Sequence, residues 1–65
     1  MKDLDKLAHL IEHWIEHNAE HEKTYLDWAA RAEEAGKPVL AETLRRIAAE
    51  TRGMEELFRR ARDEV

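Results

Sequence analysis

Apolar residues recur along the chain at alternating steps of three and four, which is the spacing of one face of an α-helix. The pattern occupies two segments, one before Gly36 and one after Pro38. Between Leu4 and Ala35 there is neither proline nor glycine, and strong helix formers dominate. In heptad terms the predicted a and d positions are Leu4, Leu7, Ile11, Trp14, Asn18, His21, Tyr25, Trp28 and Ala32, then Leu40, Leu44, Ile47, Thr51, Met54, Phe58, Ala61 and Val65.

The sequence Gly36-Lys37-Pro38 predicts where the two helices join. Glycine reaches the left-handed conformation that commonly ends a helix, and proline suits the first turn of the next helix. A connection this short favours antiparallel helices. The predicted organisation is one all-α domain over 1–65, with a helix over about 3–35, a turn at 36–38 and a helix over about 39–64.

The apolar stripe on each helix is wider than a single seam. Ala8, Leu10, Ile15 and Leu26 widen the stripe on the first helix, and Ala48 and Leu57 do so on the second. Because a two-helix hairpin cannot cover stripes this wide, we expect two hairpins to pair as a homodimeric four-helix bundle. The alternative is a break near Lys23 and Thr24, which would give a three-helix monomer.

Composition narrows the classes of function. Charged residues make up 40% of the 65 residues, and the net charge of −4 argues against nucleic acid or an anionic membrane as the partner. No apolar run reaches the roughly 20 residues that span a bilayer, and the N-terminus lacks the apolar core of a signal peptide, so we expect a cytoplasmic protein. Without cysteine there is neither a disulfide nor a thiolate metal site.

Polar residues interrupt the predicted seam at its middle. Asn18 is at an a position, His21 is at the next d position, and Glu22 adjoins them. A hairpin that turns near residue 37 brings Thr51 level with these residues and Glu50 beside it, which predicts one polar layer. A single asparagine at an a position commonly sets the register and the number of chains in a coiled coil.

Four histidines lie four residues apart, at positions 9, 13, 17 and 21. Residues at this spacing share a helix face, and two imidazoles can then hold one zinc, nickel or copper ion. The helical wheel turns His9 and His13 mainly to solvent, so we expect His17 and His21 to be the ligands, with Glu22 or Glu50 adding a carboxylate. The alternative is that His21 is a core histidine that forms a hydrogen bond within the polar layer.

The motif His-Trp-Ile-Glu-His-Asn-x-x-His over 13–21, followed by Tyr25, Trp28 and the run Glu-Glu-Ala-Gly over 33–36, resembles a family of small, largely uncharacterised helical modules from anaerobic bacteria and archaea. The resemblance covers residues from about 7 to 60. Some members follow histidine-rich stretches in proteins thought to handle nickel or zinc. The resemblance therefore implies a role connected with metal, in which the matching motif positions are His13, His17, Asn18 and His21.

Signatures of common enzymes are absent from the sequence. There is no Glu-x-x-His pair, no His-Glu-x-x-His motif, no serine and no glycine-rich phosphate loop. We therefore expect a small metal-binding helical protein rather than an enzyme. The alternative is a dimerisation or interaction module without metal, or a designed bundle, in which the polar layer sets the register. The sequence does not indicate a partner other than a second copy.

Overall fold

A computed structural model describes residues 2–65, which form two α-helices. The first, α1, spans Lys2–Glu34, and the second, α2, spans Pro38–Glu64. They pack against each other as an antiparallel hairpin that measures 53 × 14 × 10 Å. The predicted all-helical hairpin is thus confirmed. Neither α1 nor α2 has an apolar stretch long enough to cross a membrane.

The turn between the helices follows from its residues. Gly36 has a φ of 80°, which strains any residue that carries a Cβ. The N–H of Lys37 donates to the carbonyl oxygen of Ala32 at 2.9 Å, and the N–H of Gly36 donates to that of Glu33 at 3.0 Å. These two bonds form a Schellman motif, which satisfies carbonyl groups left open at the end of α1. Pro38 then begins α2, where its missing N–H costs nothing.

The first helix is uninterrupted at the position where the three-helix alternative required a break. Lys23 and Thr24 both lie within α1. The Thr24 hydroxyl donates to the carbonyl oxygen of Glu20 at 3.0 Å, a contact that a helical threonine makes one turn back. Since no residue there removes a backbone donor or requires a positive φ, the helix continues, and the alternative is wrong.

The interface between the helices differs from the predicted seam by one heptad position. Most a positions face inward as expected, although Leu4 and Val65 at the open end are exposed. The d positions of both helices are exposed, and the e positions replace them. Several e positions hold alanine, and small side chains allow two helices to approach closely where tryptophan or methionine would hold them apart. The buried side chains are Ile11, Ile15, Ala29 and Ala32 on α1 and Ala41 and Ala48 on α2.

Two ion pairs join the helices along one side of the hairpin. Arg62 Nη1 lies 2.8 Å from Glu12 Oε1, and Arg45 Nη2 lies 2.7 Å from Glu33 Oε2. We call these four residues the charged side. Because all four side chains are at least one-third exposed, each pair contributes little to stability. The pairs do show that α1 and α2 present polar residues on the same side.

The ion pair at the turn end of the charged side predicts a titration. The hydrogen bond and charge of Arg45 lower the pKa of Glu33 below its ordinary value. We expect Arg45→Ala to return that pKa to the ordinary range, measured from the Glu33 carboxyl carbon by NMR. A lowered folded pKa means that the small stabilisation is present above the unfolded pKa and is lost as pH falls through the folded pKa. An unchanged titration of Glu33 in the variant would contradict the pairing.

Candidate functional site

One broad side of the hairpin carries a row of exposed apolar side chains along both helices. In an antiparallel pair the d and g positions of one helix lie on the same side as those of the other, away from the charged side. The d positions contain no Asp, Glu, Lys or Arg. We call this surface the apolar face. Its large exposed residues are Leu7, Leu10, Trp14 and Trp28 on α1 and Leu40, Ile47, Met54 and Leu57 on α2.

These side chains stay exposed because the hairpin covers only part of each one. Trp14 remains 42% exposed, Trp28 54% and Leu57 61%. Trp14 leans across to α2, where its ring lies 6.4 Å from that of Phe58 between centroids, at a tilt of 47°. Scattered apolar residues are normal on a protein surface, but a contiguous patch with a heptad spacing is typical of an interaction surface.

The histidines of α1 form a ladder that leads onto the apolar face. The ring centroids of His13 and His17 are 5.7 Å apart with nearly parallel planes, and those of His17 and His21 are 4.7 Å apart at 77°. The next step stacks His21 on Tyr25 at 6.0 Å. His21 is exposed, so its expected place in the seam between the helices is wrong. Glu22, at the neighbouring e position, is half-buried instead, because the interface uses the e positions in place of the d positions.

The predicted metal ligands are only partly brought together. His17 and His21 adjoin each other, whereas His13 stacks on the far side of His17, and Glu22 turns toward the helix interface. Across residues 2–65, no group of three or more histidine, aspartate or glutamate side chains is placed to hold a metal ion. One chain therefore offers a pair of imidazoles rather than a complete coordination shell.

The polar layer between the helices contains fewer residues than the sequence predicted. Asn18 Nδ2 donates to the carbonyl oxygen of Thr51 at 2.7 Å, and this hydrogen bond crosses from α1 to α2. The Thr51 hydroxyl donates to the carbonyl oxygen of Ile47 in its own helix at 2.8 Å. Glu50 is exposed, with a carboxylate oxygen 3.5 Å from Arg46 Nε. Asn18 and Thr51 thus form the inter-helix contact, while His21 and Glu50 lie outside it.

Gly53 neither interrupts α2 nor makes room for a side chain of the hairpin. Helix α2 continues through it, and a Cβ built there would have nothing within 4 Å. We expect Gly53→Ala to raise the free energy of unfolding by about 1 kcal/mol, because alanine loses less backbone entropy than glycine in a helix. Urea unfolding measures the change.

The matched control for Gly53→Ala is Ala49→Gly, at another exposed position of α2, which should lower the free energy of unfolding by about 1 kcal/mol. If Gly53→Ala destabilises the protein while Ala49→Gly behaves as expected, then Gly53 contacts something outside the hairpin.

These features define a class: a small antiparallel helical hairpin with one apolar face and a pair of adjoining imidazoles. The chain belongs to a family described as a domain of unknown function, DUF8180, which it matches over residues 7–65. It is similar to a protein of Archaeoglobus fulgidus described as uncharacterised, with 36% identity over 62 residues that cover 95% of this chain and 98% of the relative. No solved structure matches it.

The family match confirms the part of the sequence resemblance that concerns a small uncharacterised module. The matched residues include the whole histidine ladder, the turn at Gly36 and all of α2. The relation to metal handling stays a prediction. The sequence pattern did not predict that the e positions would form the inner row. One signal for this was present, because small residues recur within each helix at separations that are multiples of seven: Ala8 and Ala29 on α1, and Ala41 and Ala48 on α2.

Proposed function

We propose that this protein is a self-association module, in which two hairpins pack through their apolar faces into a homodimeric four-helix bundle. The observation that carries the proposal is the apolar face itself, which runs along both helices, while the two ion pairs that join the helices lie on the opposite side. A four-helix bundle buries such faces at its centre.

The small core of one hairpin favours this assembly. Among residues 2–65, six side chains are buried, and four of those belong to alanine. A chain of this size gains only about 3–5 kcal/mol from a good core, and burying alanine contributes less than burying leucine or phenylalanine. Burial of Trp14, Trp28, Ile47 and Met54 between two copies would supply the apolar area that one hairpin lacks.

The dimensions of the apolar face suit a dimer. The two helices side by side span 53 × 14 Å. A standard protein interface buries about 800 Å² on each partner. The projected area of the face is of that order, so the face is comparable in size with one side of such an interface.

A second copy is the occupant that fits the spacing of the face. Its d rows repeat every seven residues on both helices, through Leu7, Trp14 and Trp28 on α1 and Leu40, Ile47 and Met54 on α2. A two-fold axis sets the same rows against each other, so knobs from one copy meet holes of the same period. Because the d rows lack charged residues, self-pairing buries no like charges there.

Sedimentation equilibrium of the chelator-treated chain tests the proposal. We expect a mass twice the 7.7 kDa of one chain, and a melting temperature that rises with protein concentration. A mass of one chain at about 0.1 mM, a concentration that populates even weak complexes, would refute self-association and leave the face to a different partner.

A further inference from the structure

We infer that His17 and His21, together with the same pair from the second copy, form a four-imidazole zinc site at the centre of the dimer. This inference rests on the proposed self-association and adds a ligand to it. Each chain contributes half of the coordination shell, so the site is incomplete without the partner copy.

The two imidazoles are already close to the separation that one ion requires. Their ring centroids are 4.7 Å apart and their planes are 77° to each other. Two imidazoles bound to the same tetrahedral zinc ion, with Zn–N distances of about 2.0–2.1 Å, place their centroids roughly 5 Å apart. The pair therefore needs rotation of its side chains and no movement of α1.

The position of the pair along α1 suits a two-fold axis. His17 and His21 flank the midpoint of a helix that runs from Lys2 to Glu34. When two copies of one helix cross antiparallel, residues before the midpoint face residues after it, and residues at the midpoint face themselves. A ligand pair elsewhere on α1 would be separated from its copy, whereas this pair meets it.

The surroundings of the pair favour a soft or borderline cation. Trp14, Asn18 and Phe58 line a shallow hollow with His17 and His21, and no carboxylate lines it. Imidazole nitrogen suits zinc, nickel and copper, whereas magnesium and calcium require oxygen ligands. Four imidazoles suit zinc in particular, because zinc in proteins is usually held by four ligands in a tetrahedron.

Calorimetric titration of the metal-free protein with zinc chloride, in competition with a chelator, tests the site. We expect one zinc ion per two chains. The variant His17→Ala/His21→Ala should bind zinc at least ~100-fold more weakly, because it removes every imidazole of the site. The matched control is His9→Ala/His13→Ala, which has the same spacing on the exposed side of α1 and should bind as tightly as the parent.

Two further measurements separate the inference from the proposal on which it rests. If the parent is a dimer but binds no zinc, or binds one ion per chain, the zinc site is wrong and self-association stands. If the parent is a monomer without zinc, the proposed self-association is wrong; if it also remains a monomer with zinc, the zinc site is wrong as well. Should His17→Ala/His21→Ala misfold, His17→Gln/His21→Gln keeps polar side chains at both positions, and retention of parental zinc affinity by that variant would overturn the inference.

Discussion

Replacing Ile47 with glutamate should dissociate the proposed dimer. Ile47 is 41% exposed at a d position near the middle of the apolar face, so the dimer would bury it twice across the two-fold axis. Each copy loses burial of the exposed part of this side chain, about 0.6–1.2 kcal/mol, and places a carboxylate in the interface, which costs more. We expect the dissociation constant to rise at least ~100-fold, since each 1.4 kcal/mol corresponds to a factor of ten.

Sedimentation equilibrium measures this change, with Leu26→Glu as the matched control. Leu26 is also an exposed aliphatic residue, at 45%, but it is at a b position, as are Glu12 and Glu33 of the charged side. The control should sediment like the parent, while Ile47→Glu should approach the 7.7 kDa of one chain. Equal masses for the two variants would mean that the apolar face is not the contact between copies.

Replacing Ile15 with alanine should remove most of the stability that one hairpin has by itself. Ile15 is 8% exposed, and it and Ile11 are the two large aliphatic side chains buried between the described helices. Truncating a buried isoleucine to alanine costs about 2–5 kcal/mol, which includes the cavity left behind. A small single core supplies about 3–5 kcal/mol in total, so the variant should retain little of its stability.

Helical circular dichroism during urea titration measures this loss. The comparison is Leu26→Ala, which removes a similar side chain from an exposed position of the same helix and should change the free energy of unfolding by about 0.5 kcal/mol or less. If Ile15→Ala also loses less than about 1 kcal/mol, Ile15 does not pack between α1 and α2 as described.

Local sequence is sufficient to predict the two helices and the turn. Helix propensity, the absence of glycine and proline before Gly36, and the positive φ that Gly36 supplies all act within a few residues. Pro38 acts equally locally, through its fixed φ and missing N–H. The hairpin can therefore be predicted from the sequence without knowing which side chains pack between the helices.

The sequence predicted which residues of the candidate site are neighbours, but it did not predict which of them face the other helix. His21, at a d position, is exposed, and Ile15, at an e position, is buried. Positions d and e lie on either side of the a position, about 100° apart around the helix. Both rows contain many apolar residues in this chain, so the pattern alone allows either row to face inward. The alanines of the e row pack more closely than the tryptophans of the d row, and this difference in size selects the interface.

The choice of the e row as the inner row also determines where the histidines lie. His21 shares its row with Trp14 and Trp28, so it moves to the apolar face, while Glu22 moves toward α2. The adjoining rings of His17 and His21 follow from their spacing along one helix and need no tertiary contact. Whether the two histidines face α2 or solvent depends on how the two helices pack. A periodic pattern describes the surface of one helix, whereas burial depends on the surface of both helices.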